Sequence, residues 1–232
     1  MITEKQGRPP HTLDTMKRYF HHELEDLRSK LILIGEKANE AARIAVDGFL
    51  ESDPEKLEAA ISKDDAIDAL EMEIDRASVR YITLRSPVSS DVRFILVAIK
   101  ASHDLERAGD EAHNIALRAR DILARDGQVT NIGTIEEMSQ LTCSMMKDAI
   151  TSLVEADPRQ AKAVILRDKA VNQLHKENFQ RLASGTESDN IEAATRFETI
   201  LISKSLERIA DHAKNLAEEV IYLFTAQSAT NA

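Results

Sequence analysis

Between residues 12 and 51 the apolar side chains recur every three or four positions, through Leu24, Leu27, Leu31, Ile34, Ala38, Ala41, Ala45 and Phe49. That is the helical period, which stacks such positions on one face, and it predicts one long helix. Asp53-Pro54 follows, an N-cap residue and then proline at the first helical position, where its missing N–H costs nothing. The second helix is expected to run to about Leu84, with a turn at Arg85-Ser86-Pro87. A third begins near Ser89 or Ser90 and continues through Ile95, Ile99, Leu105, Ala108, Ala112 and Ile115 to Asp126-Gly127.

The second half has the same order. After a linker at residues 127–133, Thr134 and Glu137 form a capping box, Asp157-Pro158 starts another helix that Gly185 stops, and Asp189 with Glu192 caps a last helix reaching about Phe224. The ends, residues 1–11 and 226–232, are polar and unpatterned and are expected to fray. Six helices with short connections imply antiparallel neighbours. The predicted fold is all-α, two tandem three-helix bundles over residues 12–126 and 134–225.

Part of this order is a literal repeat. Asp104 to Ala116, DLERAGDEAHNIA, returns as SLERIADHAKNLA at Ser205 to Ala217, with seven of thirteen positions identical. Glu51 to Leu70 aligns without gaps on Glu155 to Leu174 at an offset of 104, whereas the later phrases are offset by 101. The second unit is therefore three residues shorter, and the loss falls between these segments. A repeat of about a hundred residues fixes architecture before propensity does.

Composition narrows the chemistry. A net charge of −10, from 40 acidic against 30 basic residues, argues against a sequence-independent grip on nucleic acid. A single Cys143 allows no internal disulfide, and no apolar stretch resembles a signal peptide or spans a bilayer, so the cytoplasm is the expected compartment and membrane contact is expected only through partners.

Carboxylates one turn apart share a helix face: Asp64 with Asp68, Glu106 with Asp110, and Glu207 with Asp211, while Asp168 is followed by Asn172. Converging from neighbouring helices, such pairs make an oxygen-rich site for a hard or borderline cation. With 40 acids in the chain, about seven such pairs arise by chance, and most merely solvate a surface. Glu106/Asp110 and Glu207/Asp211 differ in standing at matching places in two diverged copies, although like charges at this spacing weaken a helix. Arg107 and Arg208, also kept in both copies, offer a rival account as ion-pair partners. Asn114 and Asn215 continue the same face one turn on, more simply as surface or interhelix polar residues.

Of His21, His22, His103, His113, His175 and His212, none forms an obvious sequence pair; His175 follows Asp168 and Asn172 on one face and could partly replace the missing carboxylate. The Glu-x-x-His pattern of di-iron bundles is absent, as are a phosphate-cradling glycine loop, a nucleophile elbow and a CxxC pair. Cys143, among Leu141, Met145 and Met146, reads as a buried inert thiol.

Leu105 to Asp110 with Asn114-Ile115-Ala116, its echo at Leu206 to Ala217, and Pro87 to Arg93 together resemble the PhoU family, accessory and regulatory proteins of phosphate-specific transport, from about Tyr19 to Leu223. The resemblance implies tandem three-helix bundles and acidic motifs holding metal: Asp64, Asp68, Glu106 and Asp110 in the first bundle, Asp168, Glu207 and Asp211 in the second, where Asn172 departs from the pattern. It implies iron, zinc, manganese or magnesium as the metal, without choosing among them. It further implies a non-catalytic negative regulator of the phosphate-starvation response, bridging a phosphate ABC transporter ATPase and a sensor histidine kinase, with room for a homodimer. Arg93 is then a partner contact or a brace. The competing readings are a carboxylate-bridged metalloenzyme, a phosphohydrolase or oxidase, and a metal-free helical scaffold.

Overall fold

Asp53 begins the second helical rod as its position predicts: its carboxylate accepts hydrogen bonds from the N–H groups of Glu55 at 2.9 Å and Lys56 at 3.3 Å. Its repeat counterpart Asp157 does the same for Arg159 and Gln160 at 2.8 and 3.3 Å. Just before each stands a residue in the left-handed region, Ser52 and Ala156, both at φ 55°. There the chain reverses, and the N–H groups of Asp53 and Asp157 bond back to the carbonyls of Gly48 and Ser152, each at 2.9 Å.

The computed structural model describes residues 12–127, 133–184 and 193–225, with side chains from His22 onward. It comprises α1 (Thr12–Glu51), α2 (Pro54–Ile61), α3 (Asp64–Arg85), α4 (Ser89–Asp126), α5 (Ile135–Val154), α6 (Pro158–Ser184) and α7 (Ala193–Thr225). No strand occurs among the described residues. The readings at Gly185, Asp189, Glu192, both chain ends and the His21 side chain lie outside them.

Two local expectations are corrected. The second rod is broken into α2 and α3 at Ser62 and Lys63, where the Ser62 hydroxyl donates to the Ala59 carbonyl at 2.9 Å and Lys63 N–H tightens to Ala60 at 3.2 Å. A serine competing for helix carbonyls in this way loosens the ladder. The repeat counterpart, with Leu166 and Arg167 at the same places, is unbroken. The capping box also fails: the Thr134 hydroxyl donates instead to the Leu174 carbonyl at 3.2 Å and makes no cap bond.

Each set of three rods packs mutually, α1 with α2, α3 and α4, and α5 with α6 and α7, while α1 meets α5 and α4 meets α7 between the sets. The core is continuous across both, from Leu27, Ile34, Phe49 and Leu105 to Met145, Ile150, Leu206 and Leu216. Between α4 and α7 one partner number falls as the other rises: Lys100 with Glu219, Asp104 with His212 and Asn215, Glu111 with Arg208, Arg118 with Glu198. The two helices therefore lie antiparallel. None of the described helices is long and apolar enough to cross a membrane.

Candidate metal centre

Ile67 sits between Asp64 and Asp68 on α3, and Gly109 between Glu106 and Asp110 on α4. Glycine here lets the helices close: a Cβ on Gly109 would stand 2.9 Å from Ile67 Cδ1 and 3.1 Å from its Cγ2. The equivalent residues in the second set are Val171 and Ala210, both buried. The two pairs carry the same number of side-chain carbons, divided differently between the helices.

The close approach brings the first-set acids together. Ligand oxygens of Asp64, Asp68 and Asp110 lie within 4.8 Å of one another, the one such group of three among the described residues. Glu106 flanks it from α4. Asp64 Oδ1, Asp68 Oδ1 and Glu106 Oε2 are buried and accept no hydrogen bond. Two of these oxygens are on Asp64 and Asp68, members of the group of three, and a hard cation there would offset the desolvation cost that unpartnered buried anionic oxygens carry. Burial, with Asp68, Asp110 and Asp65 beside it, holds the Asp64 carboxyl above its ordinary range against the opposing pull of His113. Burial and then Asp110 push up Glu106, Arg107 pulling the other way.

Basic neighbours complete the surroundings. His113 Nδ1 lies 3.0 Å from Asp64 Oδ2, without hydrogen-bond alignment. Arg107 donates to Asp110 at 3.0 Å and reaches Glu106 at 3.4 Å, and His103 stands 3.4 Å from Glu71. The arginine partnership offered as a rival account for both copies thus holds in the first. In the second it is corrected: Arg208 turns across the interface to Glu111 at 2.8 Å.

Two of the second-set acids, Asp168 and Glu207, are already engaged. Asp168 Oδ2 accepts from Asn172 at 3.1 Å and from the Lys214 ammonium at 3.2 Å, while Lys204 donates to Glu207. Burial, Glu207 and Asp168 raise Asp211, against Lys214 and Lys204. His175 points toward this face, its Nδ1 2.8 Å from Ser203 Oγ, and burial lowers its pKa.

Other singled-out residues serve packing. Asn215 and His212 both bond Asp104, at 3.0 and 2.8 Å, which is an interhelix tie, and Asn114 is exposed. Arg93 stands over the Tyr222 ring, 5.9 Å from its centre, bracing α4 to α7. Cys143 packs partly buried against the core, its thiol pushed up by burial. Sequence reasoning overlooked Glu71, Lys204 and Lys214, and saw no partner for His103 or His113; position-by-position comparison of the repeats was the available signal.

The PhoU domain model matches twice, over residues 31–129 and 135–220. The chain belongs to the PhoU family. Among PhoU-family relatives, a phosphate-specific transport system accessory protein PhoU homolog from Caulobacter vibrioides is 31% identical over 222 residues, 95% of each chain. A homolog of the same name from Pseudomonas aeruginosa is 31% identical over 208 residues, 90% of this chain and 86% of its own. Two PhoU crystal structures share the fold: that from Pseudomonas aeruginosa, 33% identical, covers 90% of this chain and 100% of its own with a TM-score of 0.84, and that from Streptococcus pneumoniae, 26% identical, covers 90% and 99% with a TM-score of 0.82.

Proposed function

We propose that this chain is a non-catalytic accessory protein that regulates phosphate uptake and phosphate-starvation signalling, acting in the cytoplasm as an adaptor between the phosphate transporter ATPase and a sensor histidine kinase. The observation that carries this reading is that both halves match the PhoU domain, with relatives named as accessory proteins of phosphate-specific transport aligned over most of their length. Long helices without a catalytic motif suit an adaptor, which acts through surfaces. A division into units at 12–126 and 134–225 is part of the proposal, supported by the two matches at 31–129 and 135–220, and so is a homodimer.

Metal binding belongs to it as well. Asp64, Asp68 and Asp110 would hold the ion with Glu106 beside them, and the ion would supply positive charge joining α3 to α4. Asp168, Glu207 and Asp211 are the corresponding acids of the second set. The orphaned carboxylate oxygens also favour a second reading, a carboxylate-bridged metalloenzyme.

The test is deletion of the gene in its host at high phosphate with a phosphate-starvation reporter, complemented by wild type or Asp110→Asn. Deletion is expected to switch the reporter on and wild type to silence it. A reporter that stays silent after deletion removes the regulatory reading. Phosphatase or oxidase turnover by the purified metal-loaded protein, lost in a folded Asp110→Asn variant, would put the enzyme in its place.

A further inference from the structure

Aligning the two acid faces position by position shows a systematic exchange of charge. His113, against Asp64 at 3.0 Å, is replaced by Lys214, against Asp168 at 3.2 Å. His103, one turn before Glu106, is replaced by Lys204, which donates to Glu207. Asp68 becomes Asn172 and Glu71 becomes His175. The first face thus has five carboxylates, Asp64, Asp68, Glu71, Glu106 and Asp110, against one fixed cation, Arg107. The second has three, Asp168, Glu207 and Asp211, against two directly bonded cations, Lys204 and Lys214, while Arg208 bonds Glu111 and feels Glu207 only at longer range. With histidines neutral, the faces differ as −4 and −1.

We infer that the second set carries its own counter-ions, with Lys214 and Lys204 standing where the first set takes a metal, so that metal loading is confined to the first acid face. The inference rests on the metal reading of that face. An imidazole can ligate a cation or swing aside from it, and when neutral does not repel it. An ammonium has three donors and no lone pair, and its charge excludes a second cation. Its seat is made for it: Asp168 is 5% exposed, and Asn172 and Lys214 converge on one of its oxygens. Where the first face leaves three buried carboxylate oxygens without a hydrogen bond, the second leaves one such buried oxygen, Asp168 Oδ1, among the described residues. The swap of Ile67 and Gly109 for Val171 and Ala210 keeps the packing volume beneath both faces similar, so the faces differ mainly in charge.

The experiment titrates the full chain, stripped with chelator, with manganese(II) and counts bound ions by the loss of the free-ion electron paramagnetic resonance signal. Wild type and Asp168→Asn are expected to bind the same number of ions, Asp64→Asn/Asp68→Asn to bind none, and Lys204→Gln/Lys214→Gln to gain ions beyond the wild-type count. A reduced count in Asp168→Asn, or a count unchanged by the double asparagine substitution, overturns the inference. Wild type that binds no manganese overturns the metal reading of the first face and the proposed division with it. Thermal melts in chelator address the internal counter-ion separately: Lys214→Gln is expected to lower Tm and Asp168→Asn in that background to recover part of the loss. An additive double variant would show that the two residues are not paired, and would also overturn the inference.

Discussion

Gly109 lies so close to Ile67 that a single added methyl group would stand 2.9 Å from the isoleucine Cδ1. Glycine in a helix normally costs about 0.5–1 kcal/mol relative to alanine, so its presence inside α4 is set by the neighbouring helix. Overpacking costs about 1–3 kcal/mol, which exceeds the propensity gained. Gly109→Ala is therefore expected to lower stability in urea unfolding by about 1 kcal/mol and to weaken ion binding by separating α3 from α4. Adding Ile67→Val, which copies the Val171 and Ala210 arrangement, should recover most of the loss. A double variant as unstable as the single one would mean that the contact is not what requires glycine.

Removing charge from the first acid face should strengthen the metal-free protein. Burial and mutual repulsion disfavour the charged forms of Asp64 and Glu106, so Asp64→Asn/Glu106→Gln is expected to raise Tm in chelator by a few degrees, roughly 1 kcal/mol. Under the metal reading, the same variant loses the Tm increase produced by manganese. Differential scanning calorimetry with and without the ion measures both effects, and a lower Tm in chelator would contradict the repulsion argument.

Acidity should act in the same direction. Asp64, Glu106 and Asp211 all have folded-state pKa values above their ordinary values of 3.8, 4.5 and 3.8, with burial the leading cause. Their native forms hold protons to higher pH than the unfolded chain. The resulting stabilisation is fully present below the unfolded values and is lost as pH rises through the raised ones. His175 has the opposite sign, since burial lowers it: its contribution is present above its ordinary value of 6.5 and is lost as pH falls through the depressed one. In chelator, the deficit in Tm of wild type relative to Asp64→Asn/Glu106→Gln should shrink as pH falls through the raised values toward the ordinary carboxyl range. A flat difference would remove the pKa argument.

The tie between the sets offers a separate test. Glu111 is 9% exposed and accepts from Arg208 at 2.8 Å, while the arginine side chain is largely in solvent. Losing Arg208 strands a buried carboxylate, but an exposed guanidinium is worth less than a buried one. Arg208→Ala is expected to cost about 1–2 kcal/mol in urea unfolding, and Glu111→Gln in the same background to recover part of it. No recovery would place the cost in lost arginine packing instead.

Helices, order and caps at Asp53 and Asp157 were legible in the sequence because they depend on near neighbours: a three-to-four period, an aspartate before a proline. The break at Ser62 was not, since serine occurs in both continuous and interrupted helices and the hydroxyl's choice of Ala59 is a matter of geometry. Thr134 escaped for a similar reason, its acceptor being the distant Leu174. At the acid face, spacing gave the carboxylates on each helix but not their partners on the next one. Identical residues mark the repeat, whereas His103 and Lys204, or His113 and Lys214, are informative because they differ.

Because α4 bears the acid cluster on one flank and meets α7 on another, it is a shared wall. A load applied at Asp110 presses on the same rod that holds Asp104 against His212 and Glu111 against Arg208. Two bundles joined by a flexible tether would absorb such a push locally. Here the rod is common to both, and the core runs unbroken across the α4–α7 seam.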